Sequence, residues 1–269
     1  MLPMNLLDAL AKELPDSSKN TLRSVIQCGR VIVSGHVIKN ISTILSSEDT
    51  LEVLPRATYL EHNLKVLLSD QDVIVVDKPI GLLSVDDEKG LNPSVHAILK
   101  RHNPTRRIFP VHRLDRDTSG VLVFACNEEV KEKLKEQFAA HSPKRVYYAV
   151  VEGHLEKEQG TIQSFLSEDT NFFVRSGKQG KLAITHYEVT RTTKNLSFLR
   201  VQLETGRKNQ IRVHLSELGH PIVGDRKYGS IRSPLKRLAL HAHHLTFFHP
   251  GKQKEISFTS PIPWDIIKK

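Results

Sequence analysis

Cysteine is scarce in this sequence, and long apolar runs are absent from it. Only Cys28 and Cys126 are present, which excludes a disulfide framework and a four-thiolate zinc site and favours a reducing, cytoplasmic location. No apolar run approaches the ~18 residues that a membrane-spanning helix requires. Residues 1–20 lack the basic, apolar and small-residue segments of a signal peptide. We therefore expect no membrane partner.

Glycine loops that could hold a nucleotide phosphate are also missing. The segment from Gly224 to Gly229 has neither Walker nor GxGxxG spacing, so the sequence predicts no nucleotide cofactor. The composition is that of an ordinary globular protein, with 39% hydrophobic and 26% charged residues. A chain of 269 residues accommodates one large core, or a small domain attached to a larger one.

The net charge of +9 lies mostly in the last part of the chain. Residues 1–60 carry six basic and six acidic side chains, and residues 61–150 carry fourteen and thirteen. Residues 151–269 carry nineteen and eleven. A basic field of this kind attracts polyanions, nucleic acid above all. The alternative is a basic surface that binds no nucleic acid, since it would show the same excess of basic over acidic side chains.

Residues 1–55 are predicted to form a small unit of their own. Leucines recur at helical spacing over 6–14, a helix start at 16–18 precedes a second apolar stripe at 22–26, and 31–38 has the pattern of a hairpin. The arrangement resembles the S4-type RNA-binding module, in which a helix ending in glycine leads into a VxVxGxxxK hairpin. The matching residues are Gly29, Val31, Val33, Gly35 and Lys39. A small helix–hairpin docking module is the alternative, because this stretch has no charge excess.

Residues 56–269 are predicted to form a larger α+β domain. Strands and helices follow one another without regular βαβ alternation, which favours a mixed, largely antiparallel sheet. The predicted strands are 64–68, 73–76, 121–124, 147–151, 183–189, 196–203 and 239–247. The predicted helices are 92–101, with Asn92-Pro93 as its entry, 127–140 and 207–218.

The segment His112–Gly120 concentrates reactive side chains immediately before an apolar strand. It contains two carboxylates, two guanidiniums, an imidazole and two hydroxyls. Polar groups crowded against a buried strand are costly unless they are paired, so the segment is either a structural ion-pair cluster or a functional site.

This segment matches the HRLDxxTSG signature of the RluA-type pseudouridine synthases, and the chain therefore resembles that family. Further blocks agree in order, and together they span about residues 61–264. They are 77–82 (KPxGL), 145–153 (KxYxAxxxG), 205–214 (TGRxHQIRxH), 219–229 and 240–245. The resemblance implies the pseudouridine synthase fold and an RNA substrate, ribosomal in the first place and transfer RNA in the second. No obligate protein partner is evident.

The resemblance also implies which residues carry the chemistry. Asp115 matches the catalytic carboxylate, Arg212 would pair with it, and Tyr147 falls at the active-site tyrosine. The reaction is redox-neutral and no group leaves the site, so neither a cofactor nor a metal is expected. Without the motif, Tyr147 would be interpreted as a half-buried strand residue. Asp117 does not match the catalytic position and is expected to be structural.

Four basic residues are predicted to bind RNA. Arg113 matches a residue that the family uses as the target base is flipped out, and its alternative is an ion pair with Asp117. The other three are Arg116, Arg207 and Lys208; Arg207 is also the second choice as partner of Asp115. Asn209 stands where the family usually has histidine, and an amide cannot hold a positive charge.

Two rival functions remain open at this point. The first is a non-catalytic RNA-binding protein on the same scaffold, which would require Asp115 to be inaccessible or unpaired. The second is a metal-dependent hydrolase, which would require the histidines at 241, 243, 244 and 249 to converge on an acidic residue.

Overall fold

The structure of the chain is a computed structural model that describes residues 4–27, 30–34, 36–46, 48–53, 58–87 and 90–264. The chain divides into two compact units, Met1–Ala57 and Thr58–Lys269. No helix among the described residues is long and apolar enough to cross a membrane.

The N-terminal unit consists of two short helices and small sheets. Its elements are β1 Met4–Asn5, α1 Leu6–Glu13, α2 Lys19–Gln27, β2 Val31–Val33, β3 His36–Ile38, β4 Ile44–Leu45 and β5 Leu51–Val53. The apolar faces of both helices pack against β2 in one small core that includes Leu10, Ile26 and Val31. Strand β2 pairs with both β3 and β5. Gly29 and Gly35 of the S4-like pattern lie outside the described residues.

The larger unit is built on one extended sheet. Its strands are β6 Thr58–Tyr59, β7 Lys65–Ser69, β8 Val73–Lys78, β9 Phe109–Pro110, β10 Ser119–Ala125, β11 Lys144–Glu152, β12 Gln159–Glu168, β13 Val174–Gly177, β14 Lys181–Thr193, β15 Leu196–Leu203, β16 Leu240–His249 and β17 Lys254–Thr259. Its helices are α3 Val95–His102, α4 Glu128–Ala139 and α5 Gln210–Glu217, with 3-10 turns at Glu61–Asn63 and Arg226–Tyr228.

The sheet is mixed and largely antiparallel, as predicted. Its strands run in the order β13-β12-β14-β15-β11-β16-β10-β8-β7-β6, with β17 beside β16 and β9 beside β10. The parallel pair is β10 with β16, and the other neighbours in this sheet are antiparallel. The α+β fold class is therefore confirmed.

Two apolar layers cover the two faces of the sheet. Successive residues of β10 alternate between them: Leu122 and Phe124 belong to the layer that contains α3, whereas Val121 and Val123 belong to the layer that contains α4. This alternation follows from the two-residue period of a strand. A strand buried on both faces holds the loop that precedes it in a well-defined place.

Two predicted helices begin later than the sequence pattern indicated. Helix α3 starts after Ser94, whose Oγ accepts the Ala97 N–H at 3.0 Å. Asn92-Pro93 therefore precedes the helix instead of opening it. Helix α5 starts after Asn209, which has a left-handed backbone with φ of 54°. At α3 a side-chain cap, rather than apolar periodicity, determines the first turn, whereas Asn209 makes no side-chain cap hydrogen bond at α5.

The junction of β10 and β16 requires glycine. Gly120 has a φ of +118°, and a Cβ at this position would lie 2.1 Å from the carbonyl oxygen of Ala242. Only a residue without a side chain permits this approach. The junction places the 112–118 segment at the middle of the sheet.

Candidate active site

The loop before β10 is braced by a buried lysine. Lys78 ends β8, and its ammonium donates to the carbonyls of Leu82 at 2.7 Å, Arg116 at 2.9 Å and Pro79 at 3.1 Å. Burial lowers the pKa of Lys78 to about 7, and the charges of Asp115 and Asp117 act in the opposite direction. Lys78 thus joins the KPxGL segment to the HRLDxxTSG segment.

Ser84, two residues after the KPxGL segment, makes a second connection to the HRLDxxTSG segment. Ser84 Oγ donates to the Leu114 carbonyl at 2.8 Å and accepts the Leu114 N–H at 2.9 Å. The Thr118 N–H then donates to the Asp115 carbonyl at 3.1 Å, which closes a turn. This turn holds Asp115 at a cleft of about 360 Å³, counting the part that is open to solvent.

Asp115 pairs with Arg212, and Arg212 is itself held by a second carboxylate. The Arg212 Nη1 lies 3.1 Å from Asp115 Oδ2. Its Nε and Nη2 donate to the two oxygens of Asp225, at 2.6 and 2.8 Å. Burial works against the charge, but the bonds to Asp225 and the charges of Asp225 and Asp115 raise the pKa of Arg212 above its ordinary value. The guanidinium is therefore a permanent cation in a fixed orientation.

Asn209 completes the shell around Arg212. Its Oδ1 accepts from Arg212 Nη1 at 2.9 Å, and its Nδ2 donates to the Tyr228 hydroxyl at 3.0 Å. The Tyr228 ring also lies against the guanidinium, 5.0 Å from its carbon. The amide at this position thus supplies both an acceptor and a donor, and it does so without a group that titrates near neutral pH.

Tyr147 projects from β11 into the same cleft. It is 8% exposed, and burial raises its pKa, as does the charge of Asp115, whereas the charge of Arg145 lowers it. Tyr148 points to the opposite face of the strand, as the two-residue period requires, and contacts the His243 ring edge-on.

The four predicted RNA-binding cations occupy different positions. Arg113 and Arg207 line the cleft, where Arg207 Nε donates to the Leu182 carbonyl at 2.9 Å. Arg116 is exposed and its Nε donates to the Gly81 carbonyl at 3.2 Å, and Lys208 forms an ion pair with Glu168. Within the described part of the chain, no ion pair joins Arg113 to Asp117.

Thr118 contributes a hydroxyl without a protein partner. It is a buried residue that lines the cleft, and its Oγ1 makes no hydrogen bond in the described structure. A buried hydroxyl without a partner is unfavourable, and a substrate group in the cleft could satisfy it. Its position is three residues after Asp115 in the same turn.

The C-terminal histidines are bound to other protein groups. His241 Nδ1 lies 2.9 Å from Ser119 Oγ, and the imidazoles of His241 and His243 both face the Ser260 carbonyl. His249 does lie close to Asp70 and Asp72. These three residues are the one group among the described residues whose side chains are close enough together to hold a metal ion. The carboxylate of Asp70 already contacts two protein groups, His249 Nε2 at 3.0 Å and the ammonium of Lys252 at 2.8 Å. This donor set favours a structural ion pair over a metal centre.

The comparison with known proteins agrees with this geometry. Residues 72–217 match the family model described as RNA pseudouridylate synthase. The chain belongs to this family. It is 34% identical to the ribosomal large subunit pseudouridine synthase D of Zymomonas mobilis, over 99% of this chain and 92% of that one. It is 33% identical to an RNA pseudouridine synthase of Synechocystis, over 94% of this chain and 84% of that one.

A solved structure supports the same conclusion. The human RNA pseudouridylate synthase domain containing 1 is 27% identical, with a TM-score of 0.61, over 75% of this chain and 84% of that one. The protein is a pseudouridine synthase, an isomerase that detaches the uracil of a uridine in RNA from C1′ and rejoins it through C5.

The sequence reasoning assigned no role to Asp225, Tyr228 or Lys78, although all three belong to blocks that it quoted. Asp225 is 2% exposed. The Asp225 carboxylate follows the uncharged run 221–224, and a carboxylate next to such a run requires a cationic partner if it is buried.

Proposed function

We propose that this pseudouridine synthase modifies ribosomal RNA and that Asp115 is its catalytic residue. The support for the substrate is the similarity to the relative from Zymomonas, which is named a ribosomal large subunit pseudouridine synthase. The support for the residue is its position: the Asp115 side chain is 24% exposed at the cleft and bonded to Arg212. This pairing is the observation that carries the proposal.

The single bond from Arg212 leaves Asp115 available for chemistry. Two nitrogens of the Arg212 guanidinium, Nε and Nη2, donate to Asp225. Only the third, Nη1, donates to Asp115. Asp115 is thereby kept in one orientation, and its side chain stays partly exposed at the cleft. A carboxylate beside C1′ can add covalently to the sugar, stabilise an oxocarbenium-like state, or remove a sugar proton.

Tyr147 is the proposed partner of Asp115 in the chemistry. Its ring can stack on uracil, and its hydroxyl can carry a proton to or from C5. Burial raises the pKa of this phenol, so it stays protonated at neutral pH and can donate a hydrogen bond to a bound base. The isomerisation itself is redox-neutral, and we propose that it proceeds without a cofactor.

The cations at the cleft are proposed to hold the RNA. Arg113 would take the place of the flipped base in the stack, and Arg207 would bind a phosphate at the mouth. Arg116 and Lys208 would contact the RNA backbone farther out. Most of the affinity would then come from phosphate contacts and would fall as salt rises.

The N-terminal unit is proposed to be an S4-like module that helps to hold or select the RNA. The support is the order of its elements, with two helices before the hairpin of β2 and β3, and the VxVxGxxxK pattern of the sequence. It has no residue that matches the catalytic motif. Its role would therefore be in binding and not in the reaction.

The test of the catalytic assignment compares two neighbouring carboxylates. Asp115→Asn should abolish tritium release from RNA labelled at C5 of uracil, with RNA affinity largely unchanged. Asp117→Asn is the matched control, because Asp117 is exposed and does not line the cleft; it should retain most of the activity. Turnover above a tenth of wild type in Asp115→Asn would remove Asp115 from its role.

The rival function, RNA binding without catalysis, required Asp115 to be inaccessible or unpaired. Neither condition holds in this structure, because Asp115 is partly exposed and bonded to Arg212. The same tritium assay decides the matter: a wild-type protein that binds RNA tightly and releases no tritium from any RNA would favour the rival.

A further inference from the structure

Phe172 is an exposed aromatic ring on a backbone that disfavours it. The residue lies in the turn between β12 and β13, is 70% exposed, and has a φ of +58°. Left-handed backbone is rare for a bulky residue and costs about 1 kcal/mol or more. Among the large apolar residues that the described structure exposes, Phe172 alone has a left-handed φ.

The turn that presents this ring is held by specific hydrogen bonds. The Asp169 Oδ1 accepts the N–H groups of Asn171 and Phe173, both at 2.9 Å. The Phe172 N–H donates to the Asp169 carbonyl at 3.0 Å, and the Lys227 ammonium donates to the Phe172 carbonyl at 2.8 Å. The strained conformation of Phe172 is therefore imposed by bonds on both sides of it.

The position of the ring links it to the cleft. The ammonium of Lys208 lies 5.5 Å from the centre of the Phe172 ring. Lys208 is the neighbour of Arg207 and Asn209, which both line the cleft. The adjacent Phe173 packs on Tyr228 at 4.8 Å, the ring that lies against Arg212. One face of Phe172 thus has a cation, and this cation belongs to a residue whose two chain neighbours line the cleft.

We propose that Phe172 is a stacking platform for an unpaired nucleotide of the substrate RNA beside the target uridine. The proposal rests on the proposed function, because it needs RNA in the cleft. Proteins commonly bind single-stranded RNA with an exposed aromatic ring next to lysine ammoniums. The bases stack on the ring, and the cations neutralise the phosphates. A protein partner would favour a wider apolar surface, whereas the neighbours of Phe172 are the charged pairs Lys208–Glu168 and Arg175–Asp169.

The first test separates stacking from structure with one substitution. Asparagine tolerates left-handed backbone, so Phe172→Asn should leave the free energy of unfolding unchanged or raise it. The same change should weaken binding to a fluorescein-labelled oligouridylate roughly 5- to 100-fold, the range expected for loss of one stacked base. Phe172→Trp should retain the wild-type affinity. Phe172→Leu should lose it, because leucine keeps the apolar area but not the aromatic face.

An oligomer of abasic ribose phosphates supplies the matched probe. It carries the same charges and no bases, so wild type and Phe172→Asn should bind it equally. The control variant is Ile231→Asn, since Ile231 is 89% exposed and adjoins a surface lined by Leu196, at the opposite end of β15 from the cleft residue Leu203. It should not alter binding to either probe.

Two outcomes would overturn the proposal. One is an unchanged affinity of Phe172→Asn for oligouridylate, as a protein-docking role would give, and the other is an equal loss on both probes. Because binding is measured and not turnover, the result is independent of Asp115. Failure of the proposed function would appear instead as an absence of tritium release in the wild-type protein.

Discussion

The guanidinium of Arg212 is shared by two carboxylates that differ in burial and in partners. Asp225 is 2% exposed and takes two of its bonds, whereas the Asp115 side chain is 24% exposed and takes one. A buried carboxylate without its cation would be strongly unfavourable, so Arg212 is held by Asp225 whether or not RNA is bound. At the scale of single residues, this division gives Asp115 the freedom to change partners that its proposed catalytic role requires.

Tyr147 permits a prediction at the same scale, because a phenylalanine there would lose only the hydroxyl. We expect Tyr147→Phe to keep its stability and RNA affinity and to be slowed by about 10²-fold or more, the usual scale of a lost acid or base. Tritium release under saturating RNA measures the rate, and fluorescence binding measures the affinity.

Tyr148 is the internal control for this prediction. Its side chain packs on His243 at the other face of β11, so Tyr148→Phe should leave the rate unchanged. If neither variant changed the rate of tritium release, the role of Tyr147 would be packing alone.

At the scale of elements, the parallel junction of β10 and β16 positions the loop that carries Asp115. His241 lies in this junction, opposite Ser119, and is 2% exposed. Its Nδ1 faces Ser119 Oγ and its Nε2 faces the Ser260 carbonyl at 3.2 Å. Burial lowers the pKa of His241 to about 4, and the charges of Arg237 and His243 act in the same direction.

The lowered pKa of His241 predicts acid sensitivity of the junction. In the unfolded chain this imidazole takes up its proton near its ordinary pKa of about 6.5, whereas in the fold it does so only near pH 4. Between these two pH values only the unfolded chain binds the proton, and this binding favours unfolding. The free energy of unfolding is therefore highest above pH 6.5 and decreases as the pH falls toward 4. Between pH 7 and pH 5, His241 alone should remove about 2 kcal/mol from the free energy of unfolding.

Urea unfolding of wild type and His241→Asn at both pH values checks this prediction. The variant should be less stable at pH 7, but its loss of stability on going to pH 5 should be smaller by about 2 kcal/mol. His112, whose pKa burial also lowers, remains in both proteins and cancels in the comparison. An equal pH dependence in the two proteins would show that His241 is not the group that responds.

At the scale of the whole molecule, the large sheet, the cleft and most of the charge excess all belong to one of the two units. Both apolar layers of the large sheet are made of residues from the Thr58–Lys269 unit. The same unit contains the cleft and all of its lining residues. Nearly all of the positive charge excess also lies there, in residues 151–269.

This division predicts the behaviour of a shortened chain that begins at Thr58. It should fold, because its cores are intact, and it should isomerise a saturating short RNA at close to the wild-type rate. On the natural RNA its KM should be raised, since the binding contribution that we propose for the N-terminal unit would be lost. Circular dichroism and tritium release measure the two properties. A shortened protein that folds but stays inactive at saturation would contradict the division of labour.

Much of the fold was predictable because its signals are local. The two-residue alternation of strands such as 196–203, and the apolar stripe of 127–140, depend on neighbours within a few residues. Helix starts were predicted less well, because the side-chain cap at Ser94 and the left-handed backbone at Asn209 are local features that apolar periodicity does not record.

The sequence by itself determined the family, the order of the strands and helices, and the loop that carries Asp115, because nine consecutive residues of one motif encode that loop. Only the tertiary structure decided how Arg212 is shared, since Asp115 is 97 residues away from it and Asp225 is 13 residues away. It also decided that Phe172 is exposed and lies near Lys208. Contacts between distant segments depend on how the sheet folds in space, and no spacing along the chain specifies them.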